Sequence, residues 1–322
     1  MNKVMKKILM SGGAGFVGSH LTDHFLAKGN QVTVVDNLHS GQVENLAHLE
    51  GNPNFTFQNR DICQDLSDLY AGEWDAVLNL ASLASPVDYT KYPIETLHVG
   101  SLGTENMLKV AKESGAVFLM TSTSEVYGDP EVHPQQEDYW GNVNPYGSRS
   151  CYDESKRYSE ALCFTYAQQF DVKVRIARIF NTYGPRNRVN DGRVVPTFIN
   201  QALQGESLTI FGDGQQTRSF CFVSDLVEGL ERLLWSNYDQ PVNLGNPQEM
   251  TIREFAELIV ELTGSSSEII YQPLPHKDDP KKRCPNIQRA KEILKWEPTV
   301  PPRVGFQKTI DYYATLMKQN QS

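Results

Sequence analysis

The sequence predicts an α/β fold: a doubly wound parallel sheet followed by a smaller C-terminal α/β lobe. Three observations carry that prediction. Short apolar runs alternate with helix-periodic segments through the first half of the chain. A glycine-rich turn, Gly12-Gly13-Ala14-Gly15-Phe16-Val17-Gly18, joins the first apolar run to the first amphipathic segment. Beyond residue 183 the alternation loosens and the apolar runs shorten. The chain has 322 residues, more than one average domain. We therefore expect a first domain over 1–183 and a lobe over 184–322, with some later segments returning to the first domain.

In order, residues 8–11 read as a buried strand and 19–28 as the helix behind the glycine turn. Residues 31–35 make a second strand that ends in Asp36. Further strands are expected at 55–58, 76–80, 117–121 and 172–177, with helices at 93–114 and 151–170 between them. Such alternation implies right-handed crossovers and a parallel sheet. In the lobe, helices are expected at 195–204, 223–235, 252–263 and 305–317, and short strands at 208–211, 219–222, 242–244 and 269–271. A Pro-rich, charged loop covers 273–285.

The glycine spacing points to a dinucleotide. Glycine is required where the chain turns sharply, where backbone must approach a pyrophosphate, and where helix and strand touch. Gly12, Gly15 and Gly18 supply those positions, and Phe16 and Val17, between the last two, are expected beside the cofactor. Asp36 follows Gly18 by eighteen residues. An acid there can accept from both ribose hydroxyls and repels a 2'-phosphate, which favours NAD over NADP. Asn37, Ser40 and Gly41 follow it, Asp61 and Ile62 are expected near the adenine, and Leu80, Ala81 and Ser82 along the cofactor.

Bulk properties limit the partners. Net charge is -9, so no basic footprint for nucleic acid or an acidic membrane surface exists. Five cysteines form no CxxC pair, which fits a reducing compartment. The apolar run after the basic stretch 1–7 is too short for a signal peptide or a membrane span, so a cytoplasmic location is expected. No metal is expected: His20 and His24 share helical spacing but have no further ligands near them in sequence.

Tyr152 and Lys156 stand four residues apart on one helix face. A tyrosine whose ordinary pKa is about 10 is a weak base at neutral pH. A neighbouring ammonium and a positive nicotinamide ring would favour its phenolate, enabling proton removal from an alcohol as hydride leaves the same carbon. Ser122-Thr123-Ser124, at the end of a strand, supplies hydroxyls for the same site.

With these residues in view, the chain resembles the extended short-chain dehydrogenase/reductase family, which shares the Rossmann fold, along nearly its whole length. Within that family it is similar to the UDP-glucuronate decarboxylase branch. The resemblance rests on Gly12 to Leu21, Ser122-Thr123-Ser124-Glu125-Val126-Tyr127-Gly128-Asp129-Pro130, Glu137-Asp138-Tyr139-Trp140-Gly141, Cys151-Tyr152-Asp153-Glu154, Ala177 to Pro185 and Asn190 to Val195. Related 4,6-dehydratases carry Asp-Glu where this chain has Ser124-Glu125, and 4-epimerases usually lack that glutamate.

The resemblance implies NAD as cofactor, UDP-glucuronate as substrate and UDP-xylose as product. It assigns Tyr152 as the base on the 4'-hydroxyl, Lys156 as its partner and Thr123 as a hydrogen-bonding group. Ser124 and Glu125 would flank C5', and Arg283 would enter the sugar site. Asn181, Arg193 and Arg218 would lie near the uridine diphosphate. It also implies a homodimer built on a four-helix bundle from 93–114 and 151–170. Three positions depart from the family pattern: Gly100 where relatives commonly carry asparagine, Asn79 where they often carry histidine, and Ser148 where they often carry proline. Alternatives are an oxidative decarboxylase, a 4-epimerase or a non-catalytic NAD-binding regulator.

Overall fold

The computed structural model describes residues 5–273 and 282–319. The expected loop over 273–285 therefore lies largely outside the described residues, as does most of the basic stretch 1–7.

Its centre is a seven-stranded parallel sheet. Six strands come from the first 183 residues: β1 (Lys7–Ser11), β2 (Gln31–Asp36), β3 (Phe55–Asn59), β4 (Ala76–Asn79), β5 (Val117–Thr123) and β6 (Val174–Ile179). The spatial order runs β3, β2, β1, β4, β5, β6, and Val242–Leu244 adds the seventh strand beside β6. That last pairing is the expected return of a later segment to the main sheet. The order reverses direction between β1 and β4, and in open α/β sheets this switch point opens a ligand crevice.

Side chains alternate across the sheet, so both faces are apolar. On β1, Ile8 and Met10 pack with Leu21 and Phe25 of α1 (Phe16–Ala27) and with Leu230 of the helix Val223–Leu234. Leu9 faces the opposite way, toward Met107, Phe118 and Cys163. That second face is covered by α4 (Thr104–Ser114) and α5 (Ser150–Phe170).

The helix expected over 93–114 is interrupted. It consists of α3 (Pro93–His98), a wide π-type turn over Val99–Gly103, and α4, and is preceded by α2 (Pro86–Lys91), which the sequence reading omitted. Ser85 caps α2 by accepting from Val87 N at 3.2 Å. The strand expected over 219–222 is two strands, Thr217–Ser219 and Cys221–Phe222, split at Phe220. In the lobe, Glu249–Thr251, Thr217–Ser219 and Lys282–Arg283 form a three-stranded sheet, and Ile269–Gln272 pairs with Leu208–Phe211. The helix Ile252–Thr263 has the expected bounds and a complete capping box between Thr251 and Glu254.

Candidate active site

A cleft of about 830 Å³ runs from the glycine turn to the lobe. Every residue anticipated at the site lines it: Gly12, Gly15, Phe16, Val17, Gly18, Asp36, Asn37, Ser40, Gly41, Asp61, Ile62, Leu80, Ala81, Ser82, Thr123, Ser124, Glu125, Tyr152, Lys156, Asn181, Arg193, Arg218 and Arg283.

At the glycine end the three glycines have separate steric roles. Gly12 has φ +70°, and a Cβ there would lie 2.6 Å from Ala81 N. A Cβ on Gly18 would lie 2.1 Å from Gly12 O, so this glycine lets α1 press against the turn. Gly15 caps α1 without any side-chain hydrogen bond, and a Cβ there would meet only Gly12 O. The first N–H groups of α1 thus face open cleft, a ready anion site for a pyrophosphate.

Asp36 stands at the tip of β2, as anticipated, but its carboxylate is already engaged. Oδ2 accepts from Ala14 N at 3.0 Å and Oδ1 from Leu38 N at 2.9 Å. Burial raises its pKa, and the two backbone N–H groups pull the other way. Each oxygen keeps a second lone pair for a ribose hydroxyl. Gly41 sits over it, where a Cβ would come within 2.9 Å of both oxygens.

The reactive end is built on β5 and α5. Thr123 ends β5, and its Oγ1 accepts from Glu125 N at 3.2 Å, fixing the turn that carries Glu125. Lys156 Nζ is buried and donates to Thr121 O at 2.9 Å. Burial lowers its pKa to about 8. Tyr152 is also buried, and its ring stacks on Tyr89 at 5.3 Å between centroids. Burial pushes its phenol up to about 12, against the Thr123 hydroxyl, which lowers it. The protein's own groups thus favour the neutral phenol, with Lys156 donating to the Thr121 carbonyl, and the anticipated phenolate rests on the added charge of the nicotinamide ring.

Glu125 is held by two arginines. Its Oε2 accepts from Arg149 at 2.5 Å and from Arg283 at 3.1 Å. Burial alone would raise its pKa, but Arg283 and Arg149 outweigh it and the net shift is downward. Glu125 is therefore a carboxylate at neutral pH. Arg283 is itself buried and donates to the carbonyls of Ser124 and Gly128. Ser122, by contrast, turns away: its hydroxyl donates to Glu160 at 2.5 Å, and Glu160 pairs with Arg178 at 2.8 Å.

On the lobe side, Arg193 precedes the helix Val194–Gln204 and pairs with buried Asp191, one of its contacts being 2.9 Å. Asp191 O in turn accepts from the Ser85 hydroxyl at 2.5 Å, which ties α2 to this side of the cleft. Arg218 lies on the strand Thr217–Ser219 and Asn181 follows β6.

Sequence reasoning missed Arg149, Tyr89 and Asp191. Arg149 stands three residues before Tyr152, at the start of α5, and that placement was the available signal. Tyr89 and Asp191 reach the site only through folding. Of the three departures, Ser148 lines the cleft, and Asn79 is buried between Ser11 and Thr104. Gly100 has a steric partner: a Cβ there would lie 2.5 Å from Ser155 Cβ. The place asparagine would need is thus taken by Ser155, from the helix that carries Tyr152 and Lys156. His20 and His24 diverge, His20 Nε2 lying 3.0 Å from Pro185 O and His24 Nε2 2.8 Å from Glu231.

A family profile described as "NAD dependent epimerase/dehydratase family" matches residues 8–245. A UDP-glucuronic acid decarboxylase 1 from Danio rerio is 55% identical over 312 residues, covering 97% of this chain and 73% of that protein. The solved UDP-glucose 4-epimerase of Thermotoga maritima with UDP-glucose superposes with a TM-score of 0.89 at 31% identity, over 97% of this chain and 99% of that one. The UDP-glucuronic acid 4-epimerase of Bacillus cereus, solved with UDP-glucuronic acid and NAD, gives 0.86 at 28% identity, over 96% and 99%. NAD suits the glycine turn, the open first turn of α1 and the acid at the tip of β2. The chain belongs to the NAD-dependent epimerase/dehydratase family of extended short-chain dehydrogenases/reductases.

Proposed function

We propose that this chain converts UDP-glucuronate to UDP-xylose and carbon dioxide with NAD retained and recycled. The observation that carries this reading is Thr123-Ser124-Glu125 beside Tyr152, with Glu125 ionised between Arg149 and Arg283. A 4,6-dehydratase needs a proton donor where Ser124 stands, and serine is too weak an acid for that task.

NAD, held by the glycine turn, Asp36 and Lys156, would supply a reversible hydride acceptor at C4', so that the substrate would pass through a 4-keto sugar whose carbonyl is the electron sink. Tyr152 removes the 4'-hydroxyl proton and later gives it back. Because burial holds Tyr152 up to about 12, the positive charge needed to favour its phenolate must come from Lys156 and the cofactor ring together. Thr123 orients the hydroxyl. Glu125 and Ser124 flank C5'; an ionised Glu125 there disfavours a second carboxylate and so favours its departure as neutral carbon dioxide, after which C5' takes up a proton drawn from solvent and the 4-keto group is reduced. Arg283 and Arg149 keep Glu125 ionised and fixed. Asn181, Arg193 and Arg218 hold the uridine diphosphate, for which arginine's planar fork suits phosphate oxygens.

Residues 1–183 form the NAD-binding part and 184–322 the UDP-sugar lobe in this reading. A homodimer through the helical segments 93–114 and 151–170 is supported by Ile94, Leu97, Leu102, Tyr158 and Phe164, all exposed apolar side chains on these segments. Sedimentation velocity should give twice the mass of the 36.3 kDa chain, and Phe164→Glu should shift it toward the monomer. Among the described residues no helix is long and apolar enough to cross a membrane. Five free cysteines support a reducing, cytoplasmic setting.

Incubation with UDP-glucuronate and NAD, resolved by chromatography, tests the activity. UDP-xylose without net NADH is expected. Stoichiometric NADH would favour the oxidative decarboxylase, and UDP-galacturonate the epimerase.

A further inference from the structure

Behind Arg283, outside the cleft, three side chains of metal-ligating type from distant parts of the chain converge. His133 comes from the loop after Gly128, Glu249 from the strand Glu249–Thr251, and Cys284 follows the strand Lys282–Arg283. One nitrogen, one oxygen and one sulfur from these residues lie within 4.8 Å of one another. His133 Nε2 is 3.0 Å from Glu249 Oε2, and Thr217 donates to the other oxygen, Oε1, at 2.6 Å. Cys284 Sγ is buried and donates to Pro247 O at 3.3 Å. The backbone is fixed around them: Gln135 N donates to Cys284 O at 2.9 Å, and Cys284 N to Gln135 Oε1 at 2.9 Å.

We propose that His133, Glu249 and Cys284 form a site for one divalent cation of the zinc class, separate from the reaction cleft. The donor chemistry selects that class: imidazole nitrogen, carboxylate oxygen and thiolate sulfur suit Zn(II), whereas Mg(II) and Ca(II) require oxygen ligands. Three protein ligands leave a fourth position for water, reached from the exposed His133 side. Thr217 supplies the outer hydrogen bond that orients Glu249, the usual arrangement behind a ligating carboxylate. Binding releases one proton, because the Cys284 thiol must become a thiolate and His133 must be neutral. The thiol proton goes to solvent and no redox change occurs. The ion would join three segments otherwise held by hydrogen bonds. One of these carries Arg283, so the site bears on the residue that grips Glu125 without touching substrate. The expectation of no metal considered only histidines close in sequence, and these ligands meet only in the folded chain.

Co(II) titration of the full chain tests this. A thiolate-to-cobalt absorption band in the near ultraviolet should saturate at one equivalent and disappear on adding Zn(II). Affinity should strengthen about tenfold per pH unit near neutrality, the signature of one released proton. Cys284→Ser should abolish the band, and His133→Gln, at an exposed position, should keep the fold and weaken binding at least tenfold. Zn(II) should raise the thermal midpoint of the parent and leave that of Cys284→Ser unchanged. No band, a band that survives Cys284→Ser, or affinity indifferent to pH would overturn the proposal.

Discussion

At the scale of single residues, the site is a set of charges placed against their ordinary behaviour. Tyr152 is held protonated and Lys156 is softened to about 8, so proton traffic depends on what joins them in the cleft. Tyr152→Phe keeps the ring stacked on Tyr89 and removes only the proton-transfer group. It should cut turnover by about 10²- to 10⁴-fold while leaving UDP-glucuronate affinity, read by calorimetry, within a few-fold of the parent. Asp153 makes a second test. Its Oδ1 has no hydrogen-bond partner, Arg149 is 4.0 Å from its Oδ2, and burial followed by the Glu125 charge raises it from 3.8 to about 7. A raised carboxyl stabilises the fold fully below its unfolded pKa and loses that contribution as pH rises through the folded value. Asp153→Asn should therefore gain stability relative to the parent between pH 5 and pH 8, reaching about 2 kcal/mol at pH 8, as read by denaturant midpoints. A stability difference constant across that range would refute the shift.

At the scale of elements, the glycine turn, β5 and α5 were legible because each has a local pattern: spaced glycines, an apolar run ending in hydroxyls, and Tyr152 and Lys156 one helical turn apart. The broken helix over 93–114 was not. Its wide turn at Val99–Gly103 depends on what α5 places against it, with Ser155 over Gly100 and the Ser159 hydroxyl donating to Gly100 O at 2.6 Å. Such turns arise from packing, which periodicity does not encode. Arg149 was missed for a similar reason, since its partner Glu125 is distant in sequence and they meet only when α5 docks on β5. Gly100→Asn should cost about 2 kcal/mol through overpacking, and adding Ser155→Gly should restore most of it. Equal destabilisation in single and double variants would show that the two positions are independent.

At the scale of the molecule, the doubly wound sheet follows from the alternation of apolar strands and helices, and its switch point places the cleft. What the alternation could not supply was how the lobe closes over it. Val242–Leu244 returns to the main sheet, and Lys282–Arg283 pairs in parallel with the strand carrying Arg218, so Arg283 meets the turn after β5 with Arg218 as its register partner. Two distant segments thus complete a site whose redox half lies in the first domain. The central claim is that oxidation, loss of carbon dioxide and reduction occur at one site without release of the hydride. The most direct measurement is turnover of UDP-glucuronate in D₂O with catalytic NAD, followed by NMR of the product. UDP-xylose with one deuterium at C5' and only protium at C4' is expected. Deuterium at C4', or a product lacking solvent label at C5', would contradict it.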